Sequence, residues 1–266
     1  MKNPYIFLAQ IGVQRQLSEK SSLRVQYSYQ KGVHQFRSRD INAPIDYIRP
    51  DASLGQILQF ESSAFFVRNS LRLDFNITPT KTTFFSVNYR LAKSISDTNG
   101  YFSLPSDNYD LRVDRSVSND DQRHNIHTTL NWSLPKGLRF STVFHANSPL
   151  PYNITTGRDN NGDTIFNDRP IGVLRNSERG TWQKQFDASL GWQFNLEKNK
   201  EDSPRLLDPN AQMIKGKTLM LDITSTNVFN QTNFQTFVGV QTSPFFHQPI
   251  SSSNPRKVKI SLKFSF

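Results

Sequence analysis

The nine residues from Val258 to Phe266 read V-K-I-S-L-K-F-S-F, with Val258, Ile260, Leu262, Phe264 and Phe266 separated at every step by Lys or Ser. Successive side chains on a strand point to opposite faces, so this segment has one apolar wall and one wet wall. An alternating strand that closes on an aromatic suits a β-segment whose oily face meets lipid.

The pattern recurs along the chain. Phe7, Ala9, Ile11 and Val13 alternate with Leu8, Gln10, Gly12 and Gln14, and Leu23, Val25, Tyr27 and Tyr29 with Arg24, Gln26, Ser28 and Gln30. Leu71 to Ile77 interleaves with Arg72, Asp74 and Asn76, and Phe85 to Leu91 with Ser86, Asn88 and Arg90. Ile126 to Leu134 and Leu138 to Phe144 flank Pro135-Lys136-Gly137, a hairpin with its turn residues in place. Trp182 to Phe194, interrupted at Lys184, and Leu219 to Ile223 precede the terminal segment. The count is about nine strands with no amphipathic helix. The least regular stretch is Gln56 to Asn69, where Phe60, Phe65, Phe66 and Val67 break the alternation.

Composition narrows the class. Only 35% of residues are hydrophobic, yet 21 are Phe, so apolar content is concentrated in rings of the kind that belt a membrane interface. No run of about twenty apolar residues exists, but a barrel strand needs only about nine to eleven residues and shows lipid one face. Cysteine is absent, which removes disulfides and thiolate chemistry. The net charge of +10 is scattered over strands, turns and loops, which favours a polar lumen and loops near anionic headgroups over a nucleic-acid footprint.

Connections alternate in length. Leu17 to Ser21, Pro79 to Lys81 and Pro135 to Gly137 are brief, whereas Asp40 to Gly55, Ser96 to Asp121, Ser148 to Arg179 and Gln231 to Pro255 are long. Outer-membrane barrels show this asymmetry, with tight periplasmic turns and long outer loops. The link Glu197 to Gly216 breaks the rule on the short-turn side. The odd strand count, and a start at Met1 without a signal-peptide pattern, lead to the expectation of a carboxy-terminal part of a larger barrel, residues 1–266 forming a single unit without a plug.

Specific stretches carry a family resemblance. They are Gly12-Val13-Gln14-Arg15-Gln16 with Val25-Gln26-Tyr27-Ser28-Tyr29; Arg39-Asp40-Ile41-Asn42-Ala43-Pro44; Phe60-Glu61-Ser62-Ser63; and Val87-Asn88-Tyr89-Arg90-Leu91-Ala92-Lys93-Ser94. Further along come Thr156-Gly157-Arg158-Asp159-Asn160-Asn161-Gly162-Asp163 running into Asn167-Asp168-Arg169-Pro170, and Thr226-Asn227-Val228-Phe229-Asn230 before Asn233-Phe234. In order and spacing the set resembles the carboxy-terminal barrel of TonB-dependent outer-membrane receptors, in particular the Oar-like group with an amino-terminal carboxypeptidase-regulatory-like domain. The resemblance implies an all-β, antiparallel, up-and-down transmembrane barrel of 22 strands, of which this chain supplies about nine. It implies a plug and a TonB-type energy-coupling partner elsewhere, with import of a nutrient such as a glycan, a peptide or a chelated metal. It also implies that Val258, Ile260, Leu262, Phe264 and Phe266 form the signal read by the outer-membrane assembly machinery.

Candidate sites are few. Asp159, Asn161 and Asp163 occupy alternate positions of a tight loop, with Asp168 beyond, a spacing of oxygen ligands that suits calcium. Thr164 stands where an EF-hand has glycine, and Pro170 where it has glutamate. The simpler reading is a loop whose Asn and Asp side chains cap their own backbone. His34, His124, His127, His145 and His247 do not fall at ligand spacing, and no nucleophile elbow or phosphate loop appears, so no enzyme is expected. If the apolar partners face lipid, then Arg72, Asp74, Asn76, Asn88, Arg90, Asp187 and Gln193 line the lumen. Two other classes stand beside the importer: a small passive barrel closed by these strands alone, and a soluble β-sandwich or lipocalin-like binder with its aromatics inside.

Overall fold

The computed structural model describes residues 1–196 and 217–266; the Glu197–Gly216 link lies outside the described residues. The strands are β1 (Tyr5–Ser18), β2 (Ser21–Asp40), β3 (Leu58–Thr80), β4 (Thr83–Ser96), β5 (Ser116–Val117), β6 (His124–Ser133), β7 (Leu138–Asn147), β8 (Pro151–Tyr152), β9 (Glu178–Arg179), β10 (Gln183–Asn195), β11 (Thr218–Thr226) and β12 (Lys257–Ser265). Nine of them pair in the order β1-β2-β3-β4-β6-β7-β10-β11-β12, β5 adds to β4, and β8 pairs with β9 apart from the wall. Every pairing in this wall is antiparallel. Among the described residues there is no α-helix, only 3-10 turns at Leu111–Asp114 and Pro135–Gly137.

Turn chemistry explains the tight end. Glu19 and Lys20 join β1 to β2, and Lys81 and Thr82 join β3 to β4, slightly beyond the predicted Pro79–Lys81 link. Lys136 and Gly137 both take positive φ, of 62° and 75°. A Cβ at Gly137 would lie 2.2 Å from the Gln193 carbonyl oxygen, so the hairpin requires glycine there twice over.

The register keeps one parity across the wall. Leu73, Tyr89, Ile126 and Ala146 form one row, Trp132, Phe140, Leu190, Ile223 and Ile260 another, and Phe194, Leu219 and Phe264 a third. The opposite face carries the row Gln14, Arg24, Asp74, Asn88, His127, His145 and Gln185.

Among the described residues no protein layer covers the apolar face. Trp192 is 40% exposed, Phe264 51% and Ile260 69%, while Phe75 and Tyr89 are half-buried by their lateral neighbours alone. The only hydrophobic residues buried among those described are Ala43, Ala64, Ala146 and Ile154. Burial of large apolar side chains is the main driving force for folding in water, and the described residues lack it. The described residues therefore form a single-layered wall, not a sandwich. The largest fully buried side chains are instead charged: Arg37, Arg175, Asp40, Asp121 and Asp163.

The irregular stretch before Asn69 is strand after all. β2 and β3 run 20 and 23 residues, well past the roughly nine to eleven that hydrocarbon requires, so this ribbon extends beyond the bilayer. Bulges between Gly32 and Gln35 and between Gln35 and Arg37, with His34 at φ 57°, shift the pairing there. The first bulge puts an extra residue on β2 and the second an extra residue on β3 between Glu61 and Ala64, and the latter breaks the alternation of β3 between Phe60 and the run Phe65, Phe66 and Val67.

Candidate functional site

All seven residues expected to line a lumen share the polar face. The structure brings only some of them together. Asp74, buried, accepts from Arg72 Nε and from Asn88 Nδ2, each at 2.8 Å, and Arg90 stands opposite Arg72. Asn76 faces Ser86 across β4. Asp187 and Gln193 lie on β10, beyond β6 and β7: Asp187 accepts from Gln185 Nε2 at 2.9 and 3.0 Å and from the Asn227 amide at 2.8 Å, and Gln193 donates to Asn195.

Long loops cap the end of the wall opposite the tight turns. The segment Thr156 to Pro170 is held by its own carboxylates. Asp159 Oδ1 accepts from the amides of Gly162 and Asp163 at 2.8 and 3.1 Å, and its Oδ2 from Thr164 at 3.0 Å. Asn161 Oδ1 accepts from Asp163 N, Asp163 Oδ1 from Ile165 N and Asp168 Oδ2 from Asn160 N, at 3.0, 2.7 and 2.8 Å. These are Asx-type turns, the geometry of backbone capping. Among the described residues no three His, Asp or Glu side chains converge on one point where a cation would sit. Burial pushes the Asp163 carboxyl above its ordinary range, with the Asp168 and Asp159 charges adding to it, and burial beside Asp159 does the same to Asp168.

The same segment locks three loops together. Tyr47 donates to the Asn160 carbonyl at 2.7 Å, Asn161 to the Ser106 carbonyl at 3.2 Å, and Asn167 to the carbonyls of Leu104 and Pro105 at 3.1 Å. Arg169 pairs with Asp114 at 2.7 Å. The Asn167-Asp168-Arg169-Pro170 motif is thus a loop-to-loop clasp. Asn227, at φ 52°, plays the matching part after β11: its amide reaches Asp187, and its side chain closes on Gln231.

Buried charges beneath this cap escaped the sequence reading. Arg175 donates to the carbonyls of Ser96, Thr98 and Asp114 at 2.6, 2.9 and 2.8 Å and to Asn99. Among the described residues no carboxylate touches it, and burial lowers its pKa to about 10. Arg37 pairs with Asp97; Asp40 accepts from Asn42 N and Ile57 N and pairs with Arg49; Asp121 takes Ser94 N, Arg123 and Arg179. Nothing in hydrophobic periodicity marks such residues. Beside them, Phe36, Phe65, Phe66, Tyr101, Arg68 and Asp120 border a cavity of about 350 Å³ at the rim. Phe66 lies across Gly32, where a Cβ would come within 2.2 Å of its ring.

Strand register makes one pair that spacing in the sequence does not reveal. The five histidines do not fall at ligand spacing in sequence, yet cross-strand register sets His127 directly opposite His145, with their Nδ1 atoms 3.0 Å apart. His124 sits on the other face against Tyr89 and Trp182. On β12, Val258, Ile260, Leu262 and Phe264 lie on the apolar face opposite Ser225, Ile223, Leu221 and Leu219, and Phe266 follows the strand.

Comparison with known proteins agrees with this architecture. Residues 1–259 match the family described as the outer membrane beta barrel domain. The chain belongs to that family, and its place is the outer membrane. Among solved structures it is similar to the outer membrane transporter YddB from Escherichia coli, with a TM-score of 0.66 at 15% identity, over 98% of this chain and 32% of that one. The chain therefore spans about a third of that transporter's length. No curated protein matches it.

Proposed function

We propose that this chain is the carboxy-terminal barrel portion of a TonB-dependent, Oar-like outer-membrane importer of a nutrient such as a glycan, a peptide or a chelated metal, and that it transports nothing alone. Its part is a wall, not an enzyme. The observation that carries the reading is the open sheet: among the described residues β1 and β12 each hydrogen-bond to a single neighbour. Unpaired strand edges are costly in hydrocarbon, where no water replaces the missing partner. Further strands of the same barrel would pair them. The polar face, with Arg72, Asp74, Asn76, Asn88, Arg90, Asp187 and Gln193, would then line the lumen against a plug, which a TonB-type protein moves. The apolar face would meet outer-membrane lipid, and the alternating β12 with Phe266 would be read by the assembly machinery.

Two measurements test this. The upstream genomic sequence is expected to continue in frame into further strands and a plug; a stop codon or an unrelated frame would overturn the reading. In the outer membrane, a Val13→Cys and Leu262→Cys pair is expected not to form an intrachain disulfide, because strands of the remaining barrel separate β1 from β12. Efficient cross-linking would instead identify a small barrel closed by these strands alone.

A further inference from the structure

From the His127–His145 pair we infer a binding site for a divalent transition-metal ion on the polar face of the wall, with the two Nδ1 atoms as its protein ligands. The inference does not depend on what the barrel imports. Its basis is position. β6 and β7 are adjacent central strands, and His127 and His145 are direct cross-strand partners whose ring centroids lie 4.5 Å apart. Both rings are held on rigid, doubly paired backbone rather than on a loop.

The hydrogen bonds orient the donor atoms. His127 Nε2 lies 3.1 Å from Thr129 Oγ1, two residues along the same face. When that nitrogen carries the proton and donates to the hydroxyl, Nδ1 of His127 is left with its lone pair directed at His145. Such a second contact is what fixes the tautomer of metal-binding histidines. Across the gap stands the Nδ1 atom of His145, 3.0 Å away.

That separation fits a chelate. With metal–nitrogen bonds of about 2.05 Å, two ligands of one ion lie about 2.9 Å apart at a right angle and about 3.3 Å apart at the tetrahedral angle. The observed 3.0 Å falls inside this interval, close to the right-angled end. Imidazole nitrogen suits Cu(II), Ni(II) and Zn(II), while calcium and magnesium prefer oxygen. Gln185, the register partner of His145, and Asp187 two residues beyond it flank the pair on β10 and supply polar and anionic surroundings. Water would complete the coordination.

The test uses the full chain in detergent micelles, titrated with Ni(II), Cu(II) and Zn(II) by calorimetry, with Ca(II) as control. One equivalent of transition metal is expected to bind, with Ca(II) silent at this pair. His127→Gln and His145→Gln, which keep a hydrogen-bonding side chain, are each expected to weaken binding at least tenfold, whereas His124→Gln on the opposite face leaves it unchanged. Copper electron paramagnetic resonance is expected to report two imidazole nitrogens in the parent and one in either variant. Circular dichroism of the variants separates loss of the site from loss of the fold. No binding at millimolar metal, or binding indifferent to both substitutions in folded protein, would overturn the inference and leave the pair as a hydrogen-bonded couple.

Discussion

Replacing Arg175 by methionine keeps much of the side chain's bulk while removing its donors. The carbonyls of Ser96, Thr98 and Asp114 then lose the partner that reaches them at 2.6 to 2.9 Å. Thr98 keeps the Ser96 hydroxyl at 3.1 Å, so two acceptors are left unsatisfied, at about 1–3 kcal/mol each, or roughly 2–6 kcal/mol together. Against this stands relief of a buried charge. Burial lowers the pKa to about 10, a depression worth about 3 kcal/mol at about 1.36 kcal/mol per pKa unit. The net expectation is roughly 1 kcal/mol, or about fivefold in a local opening equilibrium. Hydrogen exchange on the full chain in lipid reads this directly. Amides of residues 96–99, 111–119 and 175–176 are expected to exchange about fivefold faster, with β6 and β7 unchanged. Arg175→Lys, with three donors on a flexible stem, should fall between the two. Unchanged protection at residues 96–119, or a uniform loss over the whole wall, would refute the reasoning that this guanidinium clamps the outer loops.

Other consequences can be checked in the same preparation. Ile223→Arg on the apolar face is expected to destabilise the wall in bilayers by roughly 2–4 kcal/mol, whereas Ser189→Arg on the polar face costs little; chemical unfolding in liposomes measures both. Because burial raises the folded-state pKa of Asp163 and Asp168, the Thr156–Pro170 loop is most stable below the ordinary carboxylate value of 3.8 and loses stability as pH rises through the raised values. Proteolysis of that loop should therefore accelerate over this window, and Asp168→Asn should flatten the dependence. Millimolar calcium is expected to leave the loop's protection unchanged, since Asp159, Asp163 and Asp168 spend oxygens on backbone amides; a calcium-dependent gain lost in Asp159→Asn would reassign these residues, with Asn161, as ion ligands.

Legibility followed periodicity. The alternation at Leu71–Ile77, Phe85–Leu91 and Val258–Phe266 was readable because a two-residue period is written in consecutive side chains. The turn at Pro135–Gly137 was readable because its dihedral angles demand particular residues. By contrast, the bulges near His34 leave no compositional mark, so β3 before Asn69 was obscured. His127 and His145 are 18 residues apart, and only the register of β6 on β7 makes them neighbours. The clasp through Arg169 and the buried Arg175 depends on loops meeting 55 to 79 residues away in sequence, where no short-range pattern operates.

Which solvent the ring-bearing face meets is the central matter, and the absence of cysteine makes it directly measurable. Single cysteines at Val25, Leu71, Leu190 and Ile260, and at their neighbours Gln26, Ser70, Ser189 and Ser261, can carry spin labels in lipid vesicles. The first four labels are expected to collide with oxygen dissolved in the bilayer, and the second four with a water-soluble nickel complex. Labels at Leu71 or Leu190 reached mainly by the nickel complex, or shielded from both reagents, would contradict a lipid-facing wall.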